Sequence, residues 1–114
     1  MKYVCLVYCE EARLHSLPES PPDSECMAFS AGLTEAGHML GGQALEPIAS
    51  ATTVRVRQGK LSVTDGPFAE TKEALAGFYL IEARDLNEAI QIAGRIPPSR
   101  VGSIEVRPVR ELQP

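Results

Sequence analysis

The stretch Lys2-Tyr3-Val4-Cys5-Leu6-Val7-Tyr8-Cys9 decides the fold. Its residues favour extended backbone, and apolar side chains stand at consecutive positions rather than alternating ones. In a strand, Tyr3, Cys5, Val7 and Cys9 point to one side and Val4, Leu6 and Tyr8 to the other, so both faces ask for a cover. A second run with the same property, Gly77-Phe78-Tyr79-Leu80-Ile81-Glu82-Ala83, predicts another central strand.

Working outward, the polar connector Glu10–Pro22 carries Pro18, Pro21 and Pro22 and reads as a surface loop. From Pro21 to Ala36, Cys26, Phe29, Leu33 and Ala36 recur at helical spacing, with Ser20 or Asp23 as cap and Gly37 as terminator. His38 to Leu45 predicts a short strand interrupted by Gly41-Gly42. Thr52 to Arg57 alternates Val54 and Val56 against Arg55 and Arg57, as a half-buried strand does, and Gln58-Gly59 turns it into a partner carrying Leu61 and Val63. Asp65-Gly66-Pro67-Phe68 opens a polar stretch that runs to Glu73. A second helix starts at an Asp85–Glu88 capping pattern, presents Leu86, Ala89, Ile90 and Ala93, and stops at Gly94. The last strand, Ser103 to Val109, alternates Ile104 and Val106 with Glu105 and Arg107, and Pro108 marks a strand end or edge.

The order predicts one α+β domain over residues 1–114: a ferredoxin-like antiparallel sheet with two helices on one face and an added hairpin. The bare face of that sheet would be a large apolar patch in water, and a second copy of the chain is its simplest cover. The expectation is a homodimer whose sheets enclose a pocket for a small-molecule ligand.

Composition narrows the function classes. At 44% apolar and 23% charged, the chain suits a compact fold rather than disorder. A net charge of −4 supplies no field for phosphate backbones, so no direct nucleic-acid contact is expected. No apolar run reaches spanning length and no secretory pattern opens the chain, which predicts no membrane contact and a cytoplasmic location. Cys5, Cys9 and Cys26 make neither a disulfide framework nor a metal motif and read as buried thiols. No dinucleotide fingerprint, phosphate loop or zinc signature is present, so neither metal nor other cofactor is expected.

The segment Val63-Thr64-Asp65-Gly66-Pro67-Phe68-Ala69-Glu70-Thr71-Lys72-Glu73, followed by Gly77 to Ile81, resembles the DGPF branch of the YCII-related family. The opening Met1-Lys2-Tyr3, the Ala51–Arg57 strand, Ile96-Pro97 and Ser103–Pro108 resemble it too, so the similarity spans nearly the whole chain. It implies a dimeric α+β barrel in small, largely uncharacterised bacterial proteins. Some of these resemble lyases or isomerases, and some DGPF proteins are thought to act alongside sigma factors. In the YCII branch a first-helix histidine and an aspartate are the proposed catalytic pair. Here His15 precedes that helix and His38 follows it, so no catalytic histidine carries across.

From the residues themselves, Asp65 is the candidate general base, although Asp-Gly-Pro also builds a plain turn. His38, if it points inward, is its candidate helper, with a surface histidine as the alternative. Arg55 and Arg57 share a strand face and suit a carboxylate, or form a solvated face. Glu70 and Lys72 offer polar groups over a cavity mouth, or are solvated charges, and Glu105 carries the same ambiguity. Two functional readings follow. One is a small-molecule pocket protein, including a cofactor-independent lyase or isomerase using acid–base chemistry. The other is a non-catalytic interaction module that meets a sigma factor or another transcription regulator.

Overall fold

The computed structural model describes residues 1–114. β1 (Lys2–Cys9) lies at the centre of a four-stranded antiparallel sheet with β2 (Met39–Ala44), β5 (Ala74–Glu82) and β6 (Ser103–Pro108), in the order β2-β5-β1-β6. β3 (Thr52–Arg57) and β4 (Lys60–Asp65) form a separate two-stranded sheet. The long helices are α2 (Asp23–Glu35), between β1 and β2, and α3 (Leu86–Ala93), between β5 and β6; α1 (Glu11–Leu14) is a single turn. Each long helix carries the chain from one strand to the next but one, leaving room for an antiparallel neighbour between them.

The two faces of the sheet differ. Tyr3, Cys5, Val7 and Cys9 of β1 are buried with Ile81 of β5, Leu33 of α2, and Ala89, Ile92, Ala93 and Ile96 in and after α3. This is the core, and at about 25 cal/mol per Å² its apolar burial is what offsets the entropy of ordering the chain. On the opposite face Val4 and Leu6 pair with Leu80 and Phe78, beside Tyr8, and all five are only half-buried. The expectation that both faces of β1 are covered is met on one side of this chain alone.

Local signals explain the element ends. The Asp85 carboxylate accepts from Glu88 N at 2.9 Å, and the Glu88 carboxylate accepts from Arg84 N at 2.8 Å, so α3 begins with reciprocal capping. Its buried stripe is Ala89, Ile92, Ala93 and Ile96; Leu86 and Ile90, expected inward, are about half exposed. The two stripes share the alanines, and the helix is rotated so that Ile92 reaches the core. α2 starts after Pro22 with no side-chain cap. Ser20 is instead tied into the preceding loop, its Oγ accepting from Leu17 N and donating to Arg13 O, while Asp23 sits in the first turn, where the helix dipole favours a carboxylate. The connector expected to be irregular contains α1, whose Leu14 packs on the core. β5 begins at Ala74, three residues earlier than its apolar run suggests, because Ala74 pairs with Cys9 beyond a bulge in the β1–β5 register.

The hairpin has the expected register: Val54 faces Val63, Val56 faces Leu61, and Gln58 and Gly59 both take positive φ in the turn, as a two-residue hairpin requires. It is not half-buried, however. Val54, Val56, Leu61 and Val63 are 58–67% exposed, because the hairpin stands apart from the four-stranded sheet. The resulting shape is flat, 46 × 44 × 20 Å, with a radius of gyration of 15.8 Å. A compact chain of this length has about 13 Å. No helix is long and apolar enough to cross a membrane.

Candidate functional site

Between α2 and the sheet lies a pocket of about 490 Å³. Its origin is in the sequence of β2 and β5. On the face under α2 the two strands place Gly42 and Ala44 beside Tyr79 and Gly77, so the sheet there is floored largely by glycine and alanine. The glycines are obligatory. A Cβ on Gly77 would lie 2.7 Å from the Gln43 carbonyl oxygen, and one on Gly42 would lie 2.7 Å from the Phe78 carbonyl oxygen. Side chains that could fill the space are therefore excluded by strand pairing itself.

α2 roofs this space rather than filling it. Its C-terminal half packs through buried Leu33 and through Phe29, whose ring meets Tyr79 edge to face with centroids 5.8 Å apart. Ser30, next to Phe29, also lines the pocket, and the N-terminal half presents Asp23, Cys26 and Met27, with Leu14, His15 and Pro21 closing one end. Arg100 holds this half in place. Its guanidinium makes a bidentate pair with Glu25 at 2.6 and 2.9 Å and also donates to the Glu19 carbonyl.

The polar atoms facing the pocket belong chiefly to Tyr79, Ser30, Gln43 and two thiols, with Asp23 and His15 at its exposed rim. Burial pushes the Tyr79 phenol above its ordinary range, with Ser30 partly offsetting the effect. Burial pushes Cys9 up, helped by Glu73 and Cys26. Cys26 is raised by burial and by Asp23 and Glu25, against a smaller opposing pull from Arg100. All three groups therefore stay protonated near neutral pH and act as hydrogen-bond donors rather than nucleophiles. All three cysteines are free thiols, Cys5 and Cys9 being buried. No cluster of three or more histidine, cysteine or carboxylate groups could hold a metal ion.

The residues singled out from the sequence lie elsewhere. Asp65 ends β4, exposed, on the hairpin face that also carries Val54 and Val63. Arg55 is on the opposite face, with its guanidinium 5.4 Å from the Phe68 ring centroid. Glu70 and Lys72 are exposed and make no ion pair with each other. Glu105 is on β6, on the open face of the sheet opposite Leu6, 3.8 Å from Arg107. His38 precedes β2, and its Nδ1 is bonded to the Glu82 carbonyl at 2.8 Å. None of these six lines the pocket. The residues that do line it were signalled by the strand glycines Gly42 and Gly77, which mark a close backbone approach, and by Cys26 on the inner stripe of α2.

Comparison with known proteins places this geometry among relatives of unassigned activity. The model of the YCII-related domain matches residues 1–113. An uncharacterized protein of Rhizobium meliloti (strain 1021), R00369, is 36% identical over 119 residues, covering 100% of this chain and 96% of that protein.

Proposed function

The chain belongs to the YCII-related domain family, and from that premise we propose that it is a small-molecule-binding protein whose ligand enters the pocket between α2 and the β2–β5 edge of the sheet. The observation that carries this reading is a 490 Å³ space walled mainly by apolar side chains, into which a few donors converge. Sites for small molecules have this composition and size. Chemistry in such a pocket is of the cofactor-independent acid–base kind, a lyase or isomerase step, with Tyr79 and Ser30 as the polar groups nearest a bound molecule.

The working unit in this reading is a homodimer in the cytoplasm, the ferredoxin-like sheet of one copy closing against that of the other as an α+β barrel. Support comes from the half-buried face of Val4, Leu6, Tyr8, Phe78 and Leu80, from the exposed Val54–Val56–Leu61–Val63 strip, and from the flat shape. Asp65, Arg55, Glu70 and Lys72 sit on or after the projecting hairpin, so their part in binding belongs to the assembled pair. Asp65→Asn then weakens ligand binding with the fold intact; unchanged binding removes Asp65 from the site.

The same exposed strip favours a second reading, in which the hairpin meets a different protein, such as a sigma factor of the DGPF-associated kind. Native mass spectrometry of protein taken gently from its own cells separates the two. A species of twice 12.3 kDa carrying a defined extra mass supports the pocket reading. A bare chain that gains mass only with a protein partner supports the second.

A further inference from the structure

We propose that the pocket under α2 selects an uncharged, largely apolar molecule that presents an acceptor oxygen to Tyr79, and rejects the carboxylate of the same shape. This rests on the pocket reading above and adds the charge class of its ligand.

The lining contains no lysine and no arginine. Its one carboxylate is Asp23 at the rim, and its one imidazole, His15, is exposed there. Arg100, which pairs with this end of α2, is outside the lining and already occupied, bound through both terminal nitrogens by Glu25 and through Nε by the Glu19 carbonyl, and Arg13, beside the lining residues Leu14 and His15, is 3.4 Å from the Glu10 carboxylate. An anion entering the pocket would lose its water, find no lysine or arginine of this chain in the lining to pair with, and face Asp23 across the rim. Burying a charge without a partner is strongly unfavourable, whereas a neutral oxygen needs only a hydrogen bond.

The pocket supplies that bond. Tyr79 is fixed edge to face against Phe29, and Ser30 lies one helical position further along α2. Burial keeps the phenol protonated, so it donates. Gly42, Ala44, Ala76 and Gly77 leave the floor flat and apolar beneath the body of the ligand.

Acetophenone and benzoate test the assignment, because they match in size and differ in the charge on one end. With the full chain labelled for amide NMR, acetophenone shifts the resonances of Gly42, Gly77 and Tyr79, with a Kd at least about tenfold below that of benzoate. Equal or tighter binding of benzoate at those residues overturns the charge selection while leaving the pocket reading standing. Movement of none of these resonances by either compound at millimolar concentration overturns both. Met27 lies in the lining yet is 71% exposed, so Met27→Arg adds a cation at the rim without disturbing the core. That variant narrows or reverses the preference, and an unchanged preference refutes its electrostatic origin. Tyr79→Phe weakens acetophenone binding several-fold and leaves benzoate where it was. Unaltered acetophenone binding removes Tyr79 as the acceptor's partner.

Discussion

β1 and the β3–β4 hairpin each line one strand face with apolar side chains, and the two faces end in opposite environments. In β1 the side chains of Tyr3, Cys5, Val7 and Cys9 are 0–4% exposed. In the hairpin those of Val54, Val56, Leu61 and Val63 are 58–67% exposed. Periodicity states which residues share a face; it does not state what lies against that face. For β1 the cover is α2 and α3 of the same chain. Nothing in the chain plays that part for the hairpin.

The contrast can be broken by substitution. Ile81→Ala, at a position with no exposure, removes packing from the centre of the core and costs about 2–5 kcal/mol in urea unfolding. A loss below 1 kcal/mol there would mean that the sheet–helix layer is not the stabilising unit. The next effect is on pH. Burial pushes the Cys5 thiol from 9.0 to about 11. The native state therefore favours the protonated thiol, and the resulting stability is complete below pH 9. It fades as pH rises towards 11, because the unfolded chain ionises first, and the loss is about 2 to 3 kcal/mol. Chemical unfolding followed between pH 8 and 11 checks this, with Cys5→Ala showing the shallower decline that the other raised groups, Cys9, Cys26 and Tyr79, still produce; parallel curves for the two would contradict it.

In the hairpin the expected effects are smaller and fall on association. Arg55→Ala removes the contact with the Phe68 ring and costs about 0.5–1 kcal/mol. Val56→Ser combined with Leu61→Ser changes the stability of the dilute chain by less than about 0.5 kcal/mol per site, as exposed positions do, while weakening self-association measured by light scattering. If the double variant unfolds the dilute chain, the hairpin packs within its own chain and the contrast with β1 disappears.

Much of the architecture was legible. The consecutive apolar runs marked β1 and β5 as the two central strands, the Asp85–Glu88 pair marked the start of α3, and Gln58-Gly59 marked the hairpin turn. These signals depend on local stereochemistry, which a sequence carries directly. The rotation of α3 was not legible, since stripes through Ile90 and through Ile92 share Ala89 and Ala93. The pocket was harder still. It exists because β2 and β5 pair in a register that sets Gly42 beside Tyr79 and Ala44 beside Gly77, and register joins residues far apart in the chain. In the sequence the charged residues of the Asp65–Glu73 loop therefore stand out, where polarity is conspicuous, while the hydroxyls of Tyr79 and Ser30 look like ordinary core and helix chemistry until the floor beneath them is seen to be bare.

The flat outline of the chain also governs how it moves through water. A plate 46 × 44 × 20 Å drags more solvent than a sphere of equal mass, so it diffuses slowly and leaves a sizing column early. An elution volume calibrated on round standards would overstate the mass of one copy and could pass a lone chain for a pair. Counting subunits here requires a reading of mass that is blind to friction, such as scattered light or sedimentation equilibrium.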